Sequence, residues 1–337
     1  MVPDAERFMA DRTQTGGSCS AYRLVAAPGF GLGISVASPA MDLLDEPFRL
    51  LSVHAHPDDE SSKGAGTVAL LSDAGVRCVL VCCTGGEAGD ILNPAMDTDE
   101  VRADLPGVRR RELARAAEIL GYAEVLWLGY RDSGMPGSPE NEHPGCFARA
   151  SFDEAVCRLV AALRRERPHV VITYPDVQDG YAHPDHLRVH EITIAAVRVA
   201  ADASAVTWAG PAWDVPKLYY SMWTRARAVA THEKLLELGM ESPYEESWFR
   251  RPWQDHRVTT QVDVATVYQR KKDALLAHAT QIDPASPFWF ALPDDIAAAT
   301  HPWEEYHLAR SSVEVEVPET DLFAGLRSGA YDASGGN

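Results

Sequence analysis

The chain has 337 residues, of which 46% are hydrophobic and 24% are charged, so a disordered or fibrous protein is excluded. Its 49 acidic residues outnumber its 31 lysines and arginines and give a formal net charge of -18 at pH 7. A field of this sign repels phosphate-rich partners, and we therefore expect no binding to nucleic acid. No uncharged apolar run reaches the roughly 18 residues of a membrane-spanning helix, so no membrane partner is expected either.

Hydrophobic periodicity divides the chain into three parts. Residues 1–46 lack it and are rich in Gly, Ser, Ala and Pro, so we expect an N-terminal extension that is poorly ordered or lies on the surface as an arm. Residues 47–326 are predicted to form one catalytic domain whose C-terminal part binds substrate. Residues 327–337 are predicted to be a flexible tail.

From Phe48 onward, apolar runs alternate with amphipathic stretches. The predicted strands are 50–55, 78–83, 125–128, 169–174, 218–223 and 258–262, and the predicted helices are 64–73, 105–120, 152–167 and 264–278. This alternation predicts an α/β fold: a Rossmann-like, mostly parallel sheet with helices on both faces and an active site at the C-terminal ends of the strands.

The six cysteines bear on the redox compartment. None forms a C-x-x-C pair, and Cys78, Cys82 and Cys83 fall within one apolar run that predicts a buried strand. The N-terminus also carries acidic residues where a secretion signal would be positively charged. We therefore expect reduced core thiols and a cytoplasmic protein.

The first candidate site directly follows the first predicted strand, at residues 54–60 (HAHPDDE). The strand period places His54 and His56 on one face. One interpretation is a helix start, with Pro57 at the first helical position and Asp58 among the acidic residues that favour the positive end of the helix dipole. That interpretation leaves His56 unexplained.

A second motif, residues 181–186 (YAHPDH), also follows a predicted strand and precedes a helical stretch. Two His-Pro-Asp turns in corresponding positions of one parallel sheet would converge on the same edge, which predicts a metal site. Imidazole with a carboxylate suits Zn²⁺, and Fe²⁺ binds to similar ligands. Three protein ligands would leave one position for water, the arrangement of a hydrolytic site.

Spacing assigns only part of this site. His56 and Asp59 are three residues apart, so one tight turn can present both to one ion. His183 and His186 are both eligible as the third ligand, and His190 could pair with His186 across one helical turn. Asp58 is the natural general base, and the second-turn histidine that is not a ligand would be an acid or oxyanion donor.

The two motifs together resemble the zinc-dependent deacetylases of the LmbE and PIG-L type, which act on N-acyl glucosaminyl groups. The resemblance extends from about Arg49 to Gly325. Within the family, the amidases that cleave mycothiol S-conjugates are similar in the stretches HAHPDDESSKGA (54–65), TGGEAGDILNPAMD (84–97), AAEILG (116–121) and HATQIDP (278–284). Residues 61–63 and 91–94 favour these amidases over the related deacetylases.

The resemblance implies a role for each candidate residue. The implied metal ligands are His56, Asp59 and His186, and the implied catalytic residues are Asp58 as general base, His183 as the acid that protonates the leaving amine, Asp185 as its support and Tyr181 as a donor to the carbonyl oxygen. The implied substrate contacts are Arg109 and Asp132 to sugar or inositol hydroxyls, with Glu87 and Lys63 as further contacts. Arg109 could also belong to a solvated helix face, and Asp132 could cap a turn.

The implied activity is zinc-dependent hydrolysis of the amide that links a cysteinyl-conjugate acyl group to glucosaminyl-inositol, in detoxification or in natural-product biosynthesis. The expected partner is this small-molecule thiol conjugate, and a homo-oligomer is compatible with the sequence. One alternative is deacetylation of an N-acetylglucosaminyl-inositol. A more remote alternative is a noncatalytic zinc-stabilised binding module, although structural zinc usually has a closed, cysteine-rich set of ligands.

Overall fold

The computed structural model describes residues 25–26, 47–178 and 180–327. The predicted N-terminal extension, apart from Val25 and Ala26, and the predicted tail beyond residue 327 lie outside the described residues. The strands are β1 (Val25–Ala26), β2 (Arg49–His54), β3 (Arg77–Thr84), β4 (Glu124–Tyr130), β5 (Val170–Thr173), β6 (Lys217–Met222), β7 (Thr260–Asp263) and β8 (Trp303–Ser311). The α-helices are α1 (Asp59–Ser62), α2 (Ala65–Asp73), α3 (Asp99–Ala103), α4 (Leu105–Leu120), α5 (Phe152–Glu166), α6 (Pro184–Ala201), α7 (Arg225–Glu237), α8 (Glu246–Phe249), α9 (Tyr268–Ala277), α10 (Pro287–Phe290) and α11 (Asp294–Thr300).

These strands form one 8-stranded sheet in the order β1-β4-β3-β2-β5-β6-β8-β7. The central strands from β4 to β6 are parallel, whereas β1, β7 and β8 pair antiparallel with their neighbours. The mostly parallel sheet predicted from the sequence is therefore confirmed. The strand order reverses between β2 and β5, and such a reversal opens a crevice at the carboxyl ends of the two strands.

Apolar layers cover both faces of the sheet, because alternate residues of a strand point to opposite sides. On one face, Val53 of β2 belongs to the same core cluster as Leu159 of α5 and Ile192 of α6. On the other face, Leu50 of β2 clusters with Leu113 of α4. Helices thus flank the sheet on both sides, as predicted.

Local signals set the helix boundaries. The α5 helix begins after Ser151, whose hydroxyl accepts a hydrogen bond from the Glu154 amide, and α4 ends at Gly121, whose φ of 84° favours glycine. The α6 helix begins after His183, with Pro184 at its first position. Among the described residues, no helix combines the length and apolarity needed to cross a bilayer.

The cysteines agree only in part with the expectation of reduced thiols. Cys78, Cys82, Cys83 and Cys146 are free and buried. Cys157 on α5, however, is disulfide-bonded, so the expectation is wrong at this position. Spacing along the chain gives no measure of distance in space, and no C-x-x-C pair was present to signal the bond.

Strand β8 was not predicted, because its buried residues include Glu304, which interrupts the apolar pattern of a strand. The Glu304 carboxylate accepts hydrogen bonds from the amides of Gly66 and Thr67 at 3.1 and 2.8 Å and from Lys271 Nζ at 2.7 Å. It therefore joins β8 to the start of α2 and to α9.

Removing this carboxylate is expected to destabilise the fold. In Glu304→Ala, Lys271 stays buried without its partner, and the free energy of unfolding should fall by about 3–5 kcal/mol. Urea unfolding at pH 7 measures the change. Glu316→Ala, at an exposed position of the following segment, should shift the same quantity by less than about 0.5 kcal/mol.

The contribution of Glu304 should also depend on pH. Burial opposes its charge, but Lys271 and Thr67 outweigh burial and lower the pKa of Glu304 from 4.5 to about 2. The carboxylate therefore stabilises the fold fully above pH 4.5, and this contribution is lost as the pH falls toward 2. A difference between wild type and Glu304→Ala that stays constant over this range would contradict the assignment.

Candidate metal centre

Both histidine motifs lie at the crevice between β2 and β5. Residues 54–60 begin at the last residue of β2, and residues 181–186 include the start of α6, which follows β5. The two strands are parallel neighbours, with Leu51 opposite Val171. The two turns therefore leave the sheet at the same edge.

His56, Asp59 and His186 form a compact group of potential ligands. All three are buried, and one ligand atom from each lies within 4.8 Å of the others. Asp59 Oδ2 lies 3.4 Å from His56 Nδ1 and 3.3 Å from His186 Nε2. In a tetrahedral zinc site with bonds of about 2.0–2.2 Å, neighbouring ligand atoms lie about 3.3–3.6 Å apart, so both the donor types and their spacing fit a zinc ion.

Neighbouring side chains orient two of these ligands. Lys63 Nζ donates to Asp59 Oδ1 at 2.7 Å, while Oδ2 faces the imidazoles. His56 Nε2 donates to Asp185 Oδ2 at 3.2 Å, and a metal-binding histidine usually gives its second ring N–H to a carboxylate in this way. Asp185 also accepts hydrogen bonds from the Ser133 amide at 2.9 Å and from the Ser133 hydroxyl.

The structure distinguishes His186 from His190. The His186 ring stacks on Tyr174, with their centroids 4.4 Å apart. His190 Nδ1 donates instead to the Tyr174 carbonyl at 3.0 Å, and its ring packs against Tyr220. Within the described part of the chain, His190 belongs to no group of three or more potential ligands. The geometry therefore favours His186 as the third metal ligand and does not favour His190.

His56 also belongs to a second group of potential ligands, with Asp132 and His183. His56 Nε2 lies 3.5 Å from Asp132 Oδ1. The second group shares His56 with the first and uses the ring nitrogen that already donates to Asp185. We therefore take His56, Asp59 and His186 as the candidate centre.

Asp58 adjoins a candidate ligand but has different surroundings. Its backbone φ is 114°, a left-handed value that is unusual for any residue except glycine. Its amide donates to Glu60 Oε2 at 3.0 Å, and Arg109 donates both to Asp58 Oδ2 at 3.0 Å and to the Pro57 carbonyl at 2.7 Å. These bonds stabilise the strained turn and leave the Asp58 side chain 27% exposed.

A buried pair lies behind this turn. His278 Nε2 donates to Glu60 Oε1 at 2.7 Å. Burial opposes charge on both groups, but their attraction lowers the pKa of Glu60 and raises the pKa of His278. The pair connects the turn to the end of α9. His278 has no predicted role, since no local pattern reveals a contact across 218 positions.

The electrostatic environment differs between the two consecutive aspartates. Burial opposes charge on Asp59, but His186 and Lys63 hold the pKa of Asp59 well below its ordinary value. Burial raises the pKa of Asp58, with Arg109 acting in the opposite direction. Burial lowers the pKa of His186 to about 4, so the ring is neutral at pH 7, as a metal ligand requires. Asp59 thus suits coordination, whereas Asp58 suits proton transfer.

His183 and Tyr181 lie on the α6 side of the site. His183 Nδ1 accepts a hydrogen bond from the Asp185 amide at 3.2 Å, so the neutral ring carries its proton on Nε2. The Asp185 carboxylate contacts His56 and Ser133. Burial and His56 lower the pKa of His183 overall, although the charge of Asp185 raises it; the support of His183 by Asp185 stays a prediction. Tyr181 is 55% exposed, with its ring centroid 5.2 Å from that of His186.

The four predicted substrate contacts all touch the framework of the site. Arg109, 2% exposed, bonds to the turn at Asp58, and Lys63 bonds to Asp59. Asp132 is buried beside His56, and its amide donates to Glu87 Oε2 at 2.9 Å. Their contacts with substrate stay predictions.

A cavity of about 520 Å³ opens beside the centre, within the usual range of about 300–1,000 Å³ for small-molecule sites. Asp58, Asp59 and His186 line it together with Lys63 and Tyr181. Much of the remaining wall comes from residues after 220. That wall is not predicted from the sequence, because hydrophobic periodicity weakens in this part of the chain.

Comparisons with known proteins agree with the site. The family model described as "PIG-L: GlcNAc-PI de-N-acetylase" matches residues 51–197, a stretch that contains both motifs. The mycothiol S-conjugate amidase of Streptomyces coelicolor is 45% identical over 298 residues, covering 85% of this chain and 100% of that protein. The 1D-myo-inositol 2-acetamido-2-deoxy-alpha-D-glucopyranoside deacetylase of Geodermatophilus obscurus is 40% identical over 291 residues, covering 82% of this chain and 98% of that protein.

A solved structure shows the same fold. The N,N'-diacetylchitobiose deacetylase of Pyrococcus horikoshii superimposes with a TM-score of 0.53 at 19% identity, covering 77% of this chain and 83% of that one. Fold, motifs and relatives together define a hydrolase that acts on carbon–nitrogen bonds. The chain belongs to the PIG-L (LmbE-like) family, as its motifs implied.

Substitution of the two α6 histidines tests the ligand assignment. We expect His186→Ala to weaken zinc binding at least about 100-fold, because it removes one of three ligands, whereas His190→Ala should bind zinc like wild type. Competition with a chromophoric chelator measures both affinities. Unchanged zinc affinity in His186→Ala, or an equal loss in the two variants, would contradict the assignment.

Proposed function

We propose that this enzyme hydrolyses the amide between a cysteinyl-conjugate acyl group and the amino group of glucosaminyl-inositol, with zinc as its metal. The observation that carries the proposal is the position of Asp58, which lines the same cavity as Asp59 and His186. A potential base therefore adjoins a potential metal centre in a space large enough for a substrate. The 45% identity to a mycothiol S-conjugate amidase supports this choice of substrate.

The protein's own residues would divide the remaining chemistry. A divalent ion held by His56, Asp59 and His186 would polarise the carbonyl and lower the pKa of water to about 7. Asp58 would accept the proton of the attacking water, and its raised pKa makes it a stronger base. Tyr181 would donate a hydrogen bond to the carbonyl oxygen.

His183 would act on the leaving group. Its Nδ1 lies 3.2 Å from the Asp185 amide, so Nε2 is the atom that would deliver a proton to the departing nitrogen, and the ring would do so from its doubly protonated form and return to the neutral one. The carbon–nitrogen bond breaks as that proton arrives, and the amine leaves in its neutral form. We further propose that residues 47–326 act as one catalytic domain, since strands from both ends of this range join one sheet.

Deacetylation is the second candidate. It is favoured by the 40% identity to a deacetylase that the alignment covers almost completely. The two reactions would use the same metal centre, base and acid, because each cleaves an amide on the amino group of the same sugar. The difference lies in the acyl group.

The two candidates are separated by assaying one amino sugar with two acyl groups. The zinc-loaded enzyme is given glucosaminyl-inositol acylated either with acetate or with an S-substituted N-acetylcysteine, and release of the free amine is followed. We expect the larger kcat/KM for the cysteinyl conjugate. A larger value for the acetyl compound would favour the deacetylase, and cleavage of neither would reject both candidates.

Asp58→Asn tests the base. Because the amide side chain cannot accept the proton, kcat should fall by about 10²–10⁴-fold while zinc affinity stays that of wild type. Asp99→Asn is the control, since the Asp99 side chain is 98% exposed. Wild-type turnover in Asp58→Asn would remove Asp58 from the mechanism.

The proposed acid and base predict a bell-shaped dependence of kcat/KM on pH. The rate should fall at low pH, where Asp58 becomes protonated, and at high pH, where His183 loses its proton. His183→Ala should lower kcat and remove the alkaline limb. An alkaline limb that persists unchanged in this variant would assign it to another group.

A further inference from the structure

The cavity beside the metal centre has an unusual wall. Among its lining residues after 220, five are aromatic: Trp223, Trp248, Trp253, Phe288 and Trp289. We call these five residues the aromatic cluster. Asp58, Asp59 and His186 line the same cavity, so the aromatic cluster and the candidate catalytic groups face one continuous space.

Most rings of the aromatic cluster contact one another. Phe288 lies at its centre, with ring centroids 4.9 Å from Trp289, 5.6 Å from Trp248 and 6.0 Å from Trp223. The Arg251 guanidinium lies 3.7 Å from the centroid of the Trp248 ring and also lines the cavity. The result is a broad apolar surface built from several rings.

This surface lies outside the part of the chain that the family model matches, residues 51–197. The aromatic cluster comes from the segment after β6, from the region of α8 and from α10. The metal centre, by contrast, lies wholly within the matched part. The candidate metal ligands and the aromatic cluster therefore come from different parts of the chain.

We propose that the aromatic cluster binds an apolar, preferably aryl, substituent carried on the acyl half of the substrate, and so selects bulky acyl groups over acetyl. This inference rests on the proposed amide hydrolysis. Rings bind apolar groups through buried area and stacking, whereas the hydroxyls of an amino sugar and inositol would lose hydrogen bonds to water without replacement. An acetyl group ends one carbon beyond the carbonyl and would leave the aromatic cluster unused.

The chain offers a matched pair of variants for the test. Phe288→Ala removes the central ring, and Phe288→Leu retains an apolar side chain at the same position. Phe290→Ala is the control, because Phe290 lies in the same short helix but is not part of the cavity wall and packs near Lys272. The substrates are glucosaminyl-inositol acylated with acetate and with S-benzyl-N-acetylcysteine.

We expect Phe288→Ala to lower kcat/KM for the S-benzyl substrate at least about tenfold, mainly through KM, and to change kcat/KM for the acetyl substrate less than about twofold. Phe288→Leu should recover most of the loss, and Phe290→Ala should match wild type. Turnover of the acetyl substrate also reports that each variant is folded. An equal loss on both substrates would overturn the proposal. It would mean that the aromatic cluster either contacts the sugar that both substrates share or has a purely structural role.

Binding of the released acid separates this inference from the proposed function. Calorimetry with S-benzyl-N-acetylcysteine and the zinc-loaded enzyme needs no turnover. Binding that weakens at least about tenfold in Phe288→Ala, in an enzyme that cleaves neither substrate, would reject the function and retain the pocket assignment. Cleavage of both substrates with no dependence on Phe288 would retain the function and reject the pocket assignment.

Discussion

The buried carboxylate of Asp59 is the group on which the site depends. An isolated carboxylate is strongly disfavoured in a protein interior, so it must be compensated where it lies. Lys63 contacts one oxygen, and the two imidazoles of His56 and His186 face the other. One of these imidazoles belongs to the turn after β2 and the other to the helix after β5. Contacts to a single carboxylate therefore bring the two motifs together.

The sheet makes this meeting geometrically simple. Strands β2 and β5 are parallel neighbours on either side of the reversal in strand order, so their following segments begin about one strand spacing apart. The backbone is strained at Asp58, whose φ is left-handed. This conformation lets Asp58 contact Arg109 while the next residue, Asp59, contacts Lys63. Glu60 and Arg109 hold that turn through hydrogen bonds, and His278 holds Glu60. Strain at the candidate base is thus balanced by buried polar contacts around it.

Local patterns were enough to predict the central strands, the mostly parallel sheet and the meeting of the two motifs, because each depends on periodicity or on the ends of adjacent strands. They could not decide whether His183 or His186 is the third metal ligand, because the two residues are of the same type and differ only in where their side chains point. They also gave no indication that the Asp185 carboxylate contacts His56. Strand β8 and the His278 contact were missed for a related reason: one contains buried charge, and the other joins distant positions.

These constraints explain why the candidate catalytic residues and the residues that would bind the acyl group lie in different parts of the chain. The groups that would hold an ion and move protons must lie within a few ångströms of one another, and the family model matches the part of the chain that contains them. A cavity wall needs only apolar area in roughly the right place, which many sequences can supply. Residues of the aromatic cluster can therefore change the acyl group that fits without disturbing the hydrolytic centre, whereas His278 in the same part of the chain supports that centre through Glu60. Relatives with different named substrates can then share one reaction, and the part of the chain outside the motifs becomes the part that decides what is cleaved.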